Sequence, residues 1–296
     1  MSLKTVSITS IALFSLLALL HSWLLPFSAD EAHYALYGKF LDWSYFDHPP
    51  MVGWLQSLSL LLGESELALR ILPILFSALS LLILFRLTRE EFGEKTALVT
   101  LLLFISAPIL QILPFGMIPE TPLILCGLLN IWVLKRVINN NGEVLTDWLL
   151  LGLVLGTAGL SKYTGITLAF SSFIALCLHF KTGLARQTGF HLAILIAALC
   201  ITPVIYWNIN NDWISILYQL NHSAGKSEYS LQAAATMQAT QFASYGPLIY
   251  ILGLIVIITL LKARLKNKEQ NPSINLWLIF ALPILILFSF LSAKGR

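Results

Sequence analysis

Two adjacent carboxylates, Asp30 and Glu31, are candidates for acid–base chemistry in the segment FSADEAHY. A carboxylate in a site can take a proton from a reacting hydroxyl. The segment also has a structural explanation, because Ser28 followed by Glu31 is the capping-box pattern and an acid in a first turn favours the helix dipole. Neighbouring helical positions point about 100° apart, so Asp30 shares a face with His33 and Tyr34 rather than with Glu31. We therefore expect one of these acids, rather than both, to carry chemistry.

A second polar cluster, YFDHPP, places Asp47 and His48 directly before two prolines. Pro49 disfavours helical backbone at His48, which predicts a stiff, extended turn. Polar residues are common in loops, and that explanation stays open beside a role in a site. Together with Asp30 and His33, the cluster has the donor types of a metal site but not the spacing of a structural one. No metal ligand is assigned, and the need for a divalent metal stays open.

Three further charged residues lie at the ends of predicted membrane spans, where charge is costly and more often functional. Glu120 lies in the segment PETP, either as a helix N-terminal acid or as a site carboxylate. Lys162 either extends its side chain to the membrane surface or neutralises a phosphate there. Arg70 is a second candidate for that cationic role.

The composition identifies the chain as a membrane protein. Of its 296 residues, 57% are hydrophobic and 11% are charged, whereas soluble domains have about 25% charged residues. The formal net charge of +3 is too small to indicate nucleic-acid binding. The three cysteines lie in apolar runs, which indicates packing residues rather than a disulfide framework.

Charge-free apolar runs predict an all-α, polytopic membrane protein whose single module, residues 1–296, has about nine spans. The predicted spans are residues 5–25, 67–87, 96–113, 122–138, 148–160, 164–180, 190–207, 247–261 and 274–291. Most basic residues fall on one side of these spans together with the N-terminus, which predicts that this side is cytoplasmic. Two long loops, 26–66 and 208–246, then lie outside. In the first, the apolar stretch 51–62 is too short to cross a bilayer and predicts an interfacial helix.

Four segments in order along the chain resemble the landmarks of a known enzyme superfamily. They are DEAHYALYGKFLDWSYFDHPPMVGWL, PETPL, GLSKYTG and WNINNDWISILYQL. Together they resemble the bacterial branch of the protein O-mannosyltransferase superfamily. Its members are GT-C glycosyltransferases and include the lipid A aminoarabinose transferases. The resemblance covers essentially the whole chain. Chains of this kind usually continue past this length, with further spans and often a soluble outer domain.

The resemblance implies a GT-C-like helix bundle in the plasma membrane. Its expected activity is transfer of a sugar from a polyprenyl-phosphate donor to a hydroxyl or phosphate acceptor, on a lipid, protein or glycan, at the outer face. In similar enzymes the first acid of the Asp-Glu pair, here Asp30, is the general base, and the acid at Glu120, which is an aspartate in many relatives, lines the same cavity. We expect Glu31 or Glu120 to assist Asp30, and Lys162 and Arg70 to hold the donor phosphate. The residues expected to shape the site are His33, Tyr34, Asp47 and His48.

The sequence leaves two other interpretations open. A flippase or transporter of lipid-linked sugars would also need acidic and basic groups on the outer side. It would carry polar residues through both halves of the membrane, whereas the inner halves here are nearly all aliphatic. The early end of the chain also fits an inactive, truncated fragment of the transferase. The sequence identifies neither the sugar nor the acceptor.

Overall fold

This computed structural model describes residues 2–224, 230–265 and 272–292, and the regular structure in those ranges is entirely helical. The all-α prediction is thereby confirmed for the described part of the chain. The helices, in chain order, are α1 Leu3–Leu24, α2 Ala29–Lys39, α3 Met51–Leu60, α4 Glu66–Ser106, α5 Glu120–Asn139, α6 Leu145–Ser161, α7 Ile166–Phe180, α8 Thr188–Asn210, α9 Ile214–Ala224, α10 Leu231–Tyr245, α11 Pro247–Leu265 and α12 Pro272–Ser292.

Five helical segments of the described chain are long and apolar enough to cross a membrane: α1, α4, α5, the stretch Tyr163–Arg186 that contains α7, and α8. A sixth arises if α10 and α11, which meet at a bend of 112°, count as one span. Helix α6 and residues Asn275–Leu287 are apolar but shorter. The chain is therefore a multi-pass membrane protein, and the number of nine spans stays a prediction.

Helix α4 contains the predicted span 67–87 and residues 96–106 of the predicted span 96–113. Its 41 residues would extend about 60 Å as one straight helix, which is twice the bilayer core. Gly93 interrupts the helical backbone with φ 84° and ψ 170°, a conformation that glycine adopts without steric cost. The helix ends at Ser106, earlier than predicted, and Pro108 begins a short 3-10 turn that ends at Ile112.

The chain divides into two compact units, and the first comprises residues 1–102 and 112–216. Within it, α5, α7 and α8 all pack against α6. The α6–α8 contact is close because small residues recur along α6. A Cβ atom added at Gly152 would lie 2.4 Å from the Ala193 carbonyl oxygen, and one added at Gly156 would lie 2.4 Å from Cys200 Cβ. Such small-residue interfaces let backbones approach in membranes, where no hydrophobic force drives helices together.

Two short helices of the first unit form a hairpin in the loop predicted to lie outside. Helix α2 packs against α3, and a Cβ atom added at Gly38 would lie 2.9 Å from the Gln56 carbonyl carbon. Helix α3 has 10 residues, far fewer than the roughly 20 that a span requires. Large apolar side chains of this hairpin are exposed, including Phe40 and Leu61. This arrangement fits helices that lie in the membrane interface, as the sequence predicts.

The second unit comprises residues 103–111 together with 217–296. Its helices α11 and α12 coincide with the last two predicted spans. Helices α10 and α11 are joined at Gly246, whose φ of 86° permits the sharp bend. The loop predicted at 208–246 contains the helices α9 and α10, and its residues 225–229 lie outside the described residues.

The close α6–α8 contact generates a test of the fold. We expect Gly152→Ala to destabilise the bundle by about 1–3 kcal/mol, because its Cβ atom meets backbone atoms that cannot rotate away. Gly127→Ala is the matched control, because its Cβ atom would lie 3.7 Å from a Leu168 methyl group, an ordinary contact. Thermal unfolding in detergent measures both variants. Equal unfolding temperatures for the two variants would contradict the proposed helix contact.

Candidate active site

Helix α2 begins with a complete capping box. The Ser28 Oγ atom accepts a hydrogen bond from the Glu31 backbone N–H at 3.3 Å. In return the Ser28 backbone N–H donates to Glu31 Oε2 at 2.9 Å. The capping pattern in the sequence is therefore confirmed, and Glu31 has at least this structural function.

Glu31 also forms a buried ion pair with Arg70, whose side chain is 2% exposed. Arg70 Nε donates to Glu31 Oε1 at 2.6 Å and Nη2 donates to Oε2 at 3.0 Å. The other three N–H donors of the guanidinium reach backbone carbonyl oxygens of Ser22, Leu25 and Pro26 at 2.8–3.2 Å. All five donors of Arg70 are therefore engaged. The pair joins α4 to the end of α1 and the start of α2.

This geometry bears on two residues that the sequence assigns to chemistry. A phosphate contact by Arg70 requires a free N–H donor, and each of the five already has an acceptor. A proton-transfer role for Glu31 requires a carboxylate that is not held between a guanidinium and a helix N-terminus. Both residues act in the structure as supports that fix the position of the neighbouring Asp30.

Asp30 occupies the next position on α2 and is exposed. Tyr34, one turn further on, lies within electrostatic range of three carboxylates. Burial raises the pKa of the Tyr34 hydroxyl, and the charges of Asp47, Glu120 and Asp30 raise it further. The phenol therefore stays protonated. The structure thus brings acids from the first loop and from the start of α5 around one tyrosine.

Glu120 and Lys162 form an ion pair between the start of α5 and the end of α6. Each charge lies at the helix end whose dipole stabilises it, the acid at an N-terminus and the base at a C-terminus. The side chains are 43% and 27% exposed, respectively. In contrast to the buried Arg70–Glu31 pair, this pair is partly exposed to solvent.

A hydrogen-bonded network of aromatic and polar side chains extends from α2 to the turn before α3. The Tyr37 hydroxyl donates to Asp47 Oδ1 and lies 2.9 Å from His33 Nε2. Asp47 Oδ2 lies 3.4 Å from His33 Nε2 and 3.9 Å from His48 Nε2. The Tyr37 ring stacks on Tyr45 with a centroid distance of 3.7 Å. All four predicted shaping residues therefore share one cluster, since the Tyr34 ring also contacts the rings of His33 and His48 at centroid distances of 5.3 and 5.8 Å.

His48 lies within electrostatic range of the Glu120–Lys162 pair as well as of this network. Burial lowers the pKa of the His48 imidazole, Asp47 and Glu120 raise it, and Lys162 and His33 lower it. These electrostatic partners come from three distant parts of the chain. The His48 Nδ1 atom is buried without a hydrogen-bond partner. His48 is thus a half-buried imidazole with one ring nitrogen that has no hydrogen-bond partner, within electrostatic range of the Glu120–Lys162 pair.

The sequence analysis did not identify the residues that anchor the first loop to the bundle. Trp207 Nε1 at the end of α8 donates to Asp42 Oδ2 at 2.7 Å, and Trp54 Nε1 donates to the Asp42 carbonyl oxygen at 3.0 Å. The Asp42 backbone N–H donates to the Tyr45 hydroxyl at 3.3 Å. No local pattern signals such a contact, because Asp42 and Trp207 are far apart in the chain. Tyr37 had a weak signal, since it lies four residues after His33 on the same helix face.

Among the described residues, no three His, Cys, Asp or Glu side chains are arranged to hold a metal ion. None of the three cysteines is in a disulfide. Cys126 lies in α5, Cys177 in α7 and Cys200 in α8.

The buried pair generates a prediction on stability. We expect Glu31→Gln to lower the free energy of unfolding by about 3–5 kcal/mol, because it leaves the guanidinium of Arg70 buried without its counter-charge. Glu64→Gln is the matched control. It removes an acid from the exposed pair with Lys39, and such pairs contribute about 0–1 kcal/mol. Denaturant unfolding in detergent measures both. A loss in Glu31→Gln no larger than that in Glu64→Gln would contradict the supporting role of the pair.

Comparison with solved structures identifies the same fold. ArnT from Cupriavidus metallidurans in the apo state superposes with a TM-score of 0.69 at 17% identity, covering 100% of this chain and 56% of that chain. ArnT from the same organism bound to undecaprenyl phosphate gives a TM-score of 0.68 at 18% identity, covering 95% of this chain and 55% of that chain. The GT-C-like helix bundle expected from the resemblance is confirmed by these matches.

Comparison of sequences gives the family. Lipid A galacturonosyltransferase RgtD from Rhizobium johnstonii (strain DSM 114642 / LMG 32736 / 3841) is 24% identical over 273 residues, which cover 91% of this chain and 56% of that protein. The chain thus spans about half the length of the relatives it matches. The family model for dolichyl-phosphate-mannose-protein mannosyltransferases matches residues 47–207, more than half of the chain. The chain therefore belongs to the dolichyl-phosphate-mannose-protein mannosyltransferase family.

Proposed function

We propose that this chain forms the membrane module of a glycosyltransferase that moves a sugar from a polyprenyl-phosphate donor to an acceptor. Family membership supports the reaction class. The observation that carries the proposal is the convergence of one exposed acid, Asp30, one partly exposed acid–lysine pair and a half-buried histidine at one end of the first unit. A lipid phosphate is already a good leaving group. The enzyme therefore has to remove a proton from the acceptor and stabilise the phosphate that departs.

Asp30 is the proposed general base. Its neighbour Glu31 is engaged with Arg70, which leaves Asp30 as the acid of the pair that is exposed. In the proposed step the acceptor hydroxyl gives its proton to Asp30 as its oxygen bonds to the anomeric carbon. The bond from that carbon to the phosphate oxygen breaks, and the phosphate leaves with the electron pair. One such displacement inverts the anomeric centre.

Lys162 is the proposed contact for the donor phosphate. Its ammonium pairs with Glu120 in a partly exposed position, so a phosphate can replace or join the carboxylate as the counter-charge. Glu120 then holds the lysine in place when no donor is bound. The remaining shaping residues, His33, Tyr34, Asp47 and His48, line the approach to this pair.

The outer face of the plasma membrane is the proposed location of the reaction. The distribution of basic residues in the sequence favours it, because the end of the first unit with Asp30, Glu120 and Lys162 lies opposite the basic loops. A lipid acceptor is favoured by RgtD, which is named for its action on lipid A. That relative is named as a transferase, which also favours sugar transfer over the flippase alternative.

The role of Asp30 is tested by Asp30→Asn. We expect transfer to fall by about 10²–10⁴-fold, because the amide cannot accept the proton. Binding of undecaprenyl phosphate should stay within a factor of two or so of the wild-type value, since the helix cap is intact. Sugar transfer in proteoliposomes and binding of the radiolabelled lipid measure the two quantities. Ser28→Ala, which weakens only the helix cap, is the control. If Ser28→Ala loses as much activity as Asp30→Asn, the role of Asp30 is structural.

The role of Lys162 is tested by Lys162→Gln. We expect the KM for the donor to rise by about 10–100-fold, because a charge-assisted hydrogen bond of about 1.5–3 kcal/mol is lost. Lys39→Gln is the control, since Lys39 also pairs with an acid, Glu64, but in a more exposed position than Lys162. Initial rates over a range of donor concentrations measure the change. An unaltered KM in Lys162→Gln would exclude this lysine as the phosphate contact.

A further inference from the structure

The turn that joins α7 to α8 carries two positive charges that have no paired acid among the described residues. It is a 3-10 segment from Lys181 to Arg186, and both of these side chains are exposed. The ion pairs of the described chain involve neither of them. The turn lies at the opposite end of α7 from Lys162, since the 15 residues of α7 extend about 22 Å.

The surroundings of the α7–α8 turn offer no acid that neutralises it. No Asp or Glu occurs from residue 148 to residue 211 of the sequence. The connection between α5 and α6 packs nearby, because a Cβ atom added at Gly142 would lie 3.1 Å from Gln187 Oε1. Of the two acids there, Asp147 is 3% exposed and already paired with an arginine of α5 at 2.7 Å. The other, Glu143, is exposed and is not in an ion pair with the turn.

Helix dipoles account for only one of the two charges. Lys181 follows the C-terminus of α7, where a cation is stabilised. Arg186 instead precedes the N-terminus of α8, where a cation is disfavoured, and the first turn of α8 contains no acid. The fold therefore leaves the charge of Arg186 uncompensated, and an anion beside it would stabilise this end of α8.

The α7–α8 turn is fixed by contacts on both sides. Leu184 within it is 5% exposed. The Ala185 carbonyl oxygen accepts a hydrogen bond from His191 Nε2 at 2.9 Å, and His179 Nε2 lies 3.0 Å from Asn141 Oδ1. The two basic side chains therefore project from a defined backbone, so a ligand binds them with little loss of backbone entropy.

Large aliphatic side chains lie next to the turn on both helices. Leu178 in the last turn of α7 is 55% exposed, and Ile194 and Leu195 near the start of α8 are 52% and 53% exposed. Both helices belong to segments long and apolar enough to cross a membrane, so these side chains face acyl chains. Basic groups at the end of a lipid-facing apolar surface match a molecule with an anionic head and hydrocarbon tails.

We infer that the α7–α8 turn binds the phosphate of an anionic membrane phospholipid such as phosphatidylglycerol. Lys181 and Arg186 contact the phosphate, and the exposed aliphatic side chains beside them contact the acyl chains. The lipid lies in the leaflet opposite to Lys162, so this site is separate from the proposed contact for the donor phosphate. Its binding does not depend on the proposed transfer reaction.

The test measures binding of phosphatidylglycerol to the full chain in phosphatidylcholine nanodiscs by native mass spectrometry. We expect Lys181→Gln/Arg186→Gln to bind this lipid about 30-fold more weakly than the wild-type protein, which is about 2 kcal/mol for two basic residues. Lys181→Arg/Arg186→Lys keeps both charges and should bind as the wild-type protein does. Arg86→Gln/Lys95→Gln is the matched control and should also bind normally, because it removes two exposed charges of α4 from a segment that contains acids.

A phosphatidylglycerol with a diazirine in its acyl chain gives a second measurement, on the unaltered protein. It should label α7 and α8 near Leu178 and Leu195, and labelling confined to other helices would overturn the inference. Equal binding by the wild-type protein and Lys181→Gln/Arg186→Gln would also overturn it, and the two residues would then serve only in membrane orientation.

Soluble glycerol phosphate separates a lipid site from a general phosphate site. It should not compete with phosphatidylglycerol, because it lacks the acyl chains. Competition at equal concentrations would contradict the inference and assign the turn to free phosphate esters instead. None of these measurements contains a sugar donor, so their outcomes leave the proposed transfer reaction unaffected.

Discussion

The buried ion pair between Arg70 and Glu31 is the interaction on which the candidate site depends. Its guanidinium binds three carbonyl oxygens around the end of α1 and the carboxylate that caps α2. Carbonyl groups at a helix end carry a partial negative charge, so one arginine satisfies both this end and the acid. The chain leaves the first span at a defined angle as a result, and Asp30 is held at the surface of the bundle.

One ion pair of the site has a structural role, and the other has a proposed chemical role. The Arg70–Glu31 pair is buried and has no unused guanidinium donor, so its exchange with a ligand would cost several kcal/mol. The Glu120–Lys162 pair is partly exposed and supported by two helix ends, so exchange of its carboxylate for a phosphate costs little. Asp30 and Glu31 are adjacent in sequence but have different surroundings. Glu31 is buried against Arg70, whereas Asp30 is exposed.

The sequence predicts the helices well and the partners of individual residues less well. Long apolar runs and the capping signal at Ser28 are local, and the structure confirms the capping box and a helix over most of each predicted span. The pairing of Arg70 with Glu31 and of Asp42 with Trp207 depends on how helices meet, which no local pattern encodes. The sequence predicts that Arg70 holds the donor phosphate, because an arginine at the end of a membrane span resembles an anion-binding residue. Its burial against three carbonyl oxygens is visible once α1, α2 and α4 are assembled.

The most direct test of this account is a cryo-electron microscopy structure of the protein with undecaprenyl phosphate bound. The measured quantity is the distance from the phosphate oxygens to Lys162 Nζ and to the Arg70 guanidinium. We predict a phosphate at about 2.7–2.9 Å from Lys162 Nζ, with Arg70 still bound to Glu31. A phosphate held by Arg70, with Glu31 displaced, would contradict the division between a supporting pair and an exchangeable one.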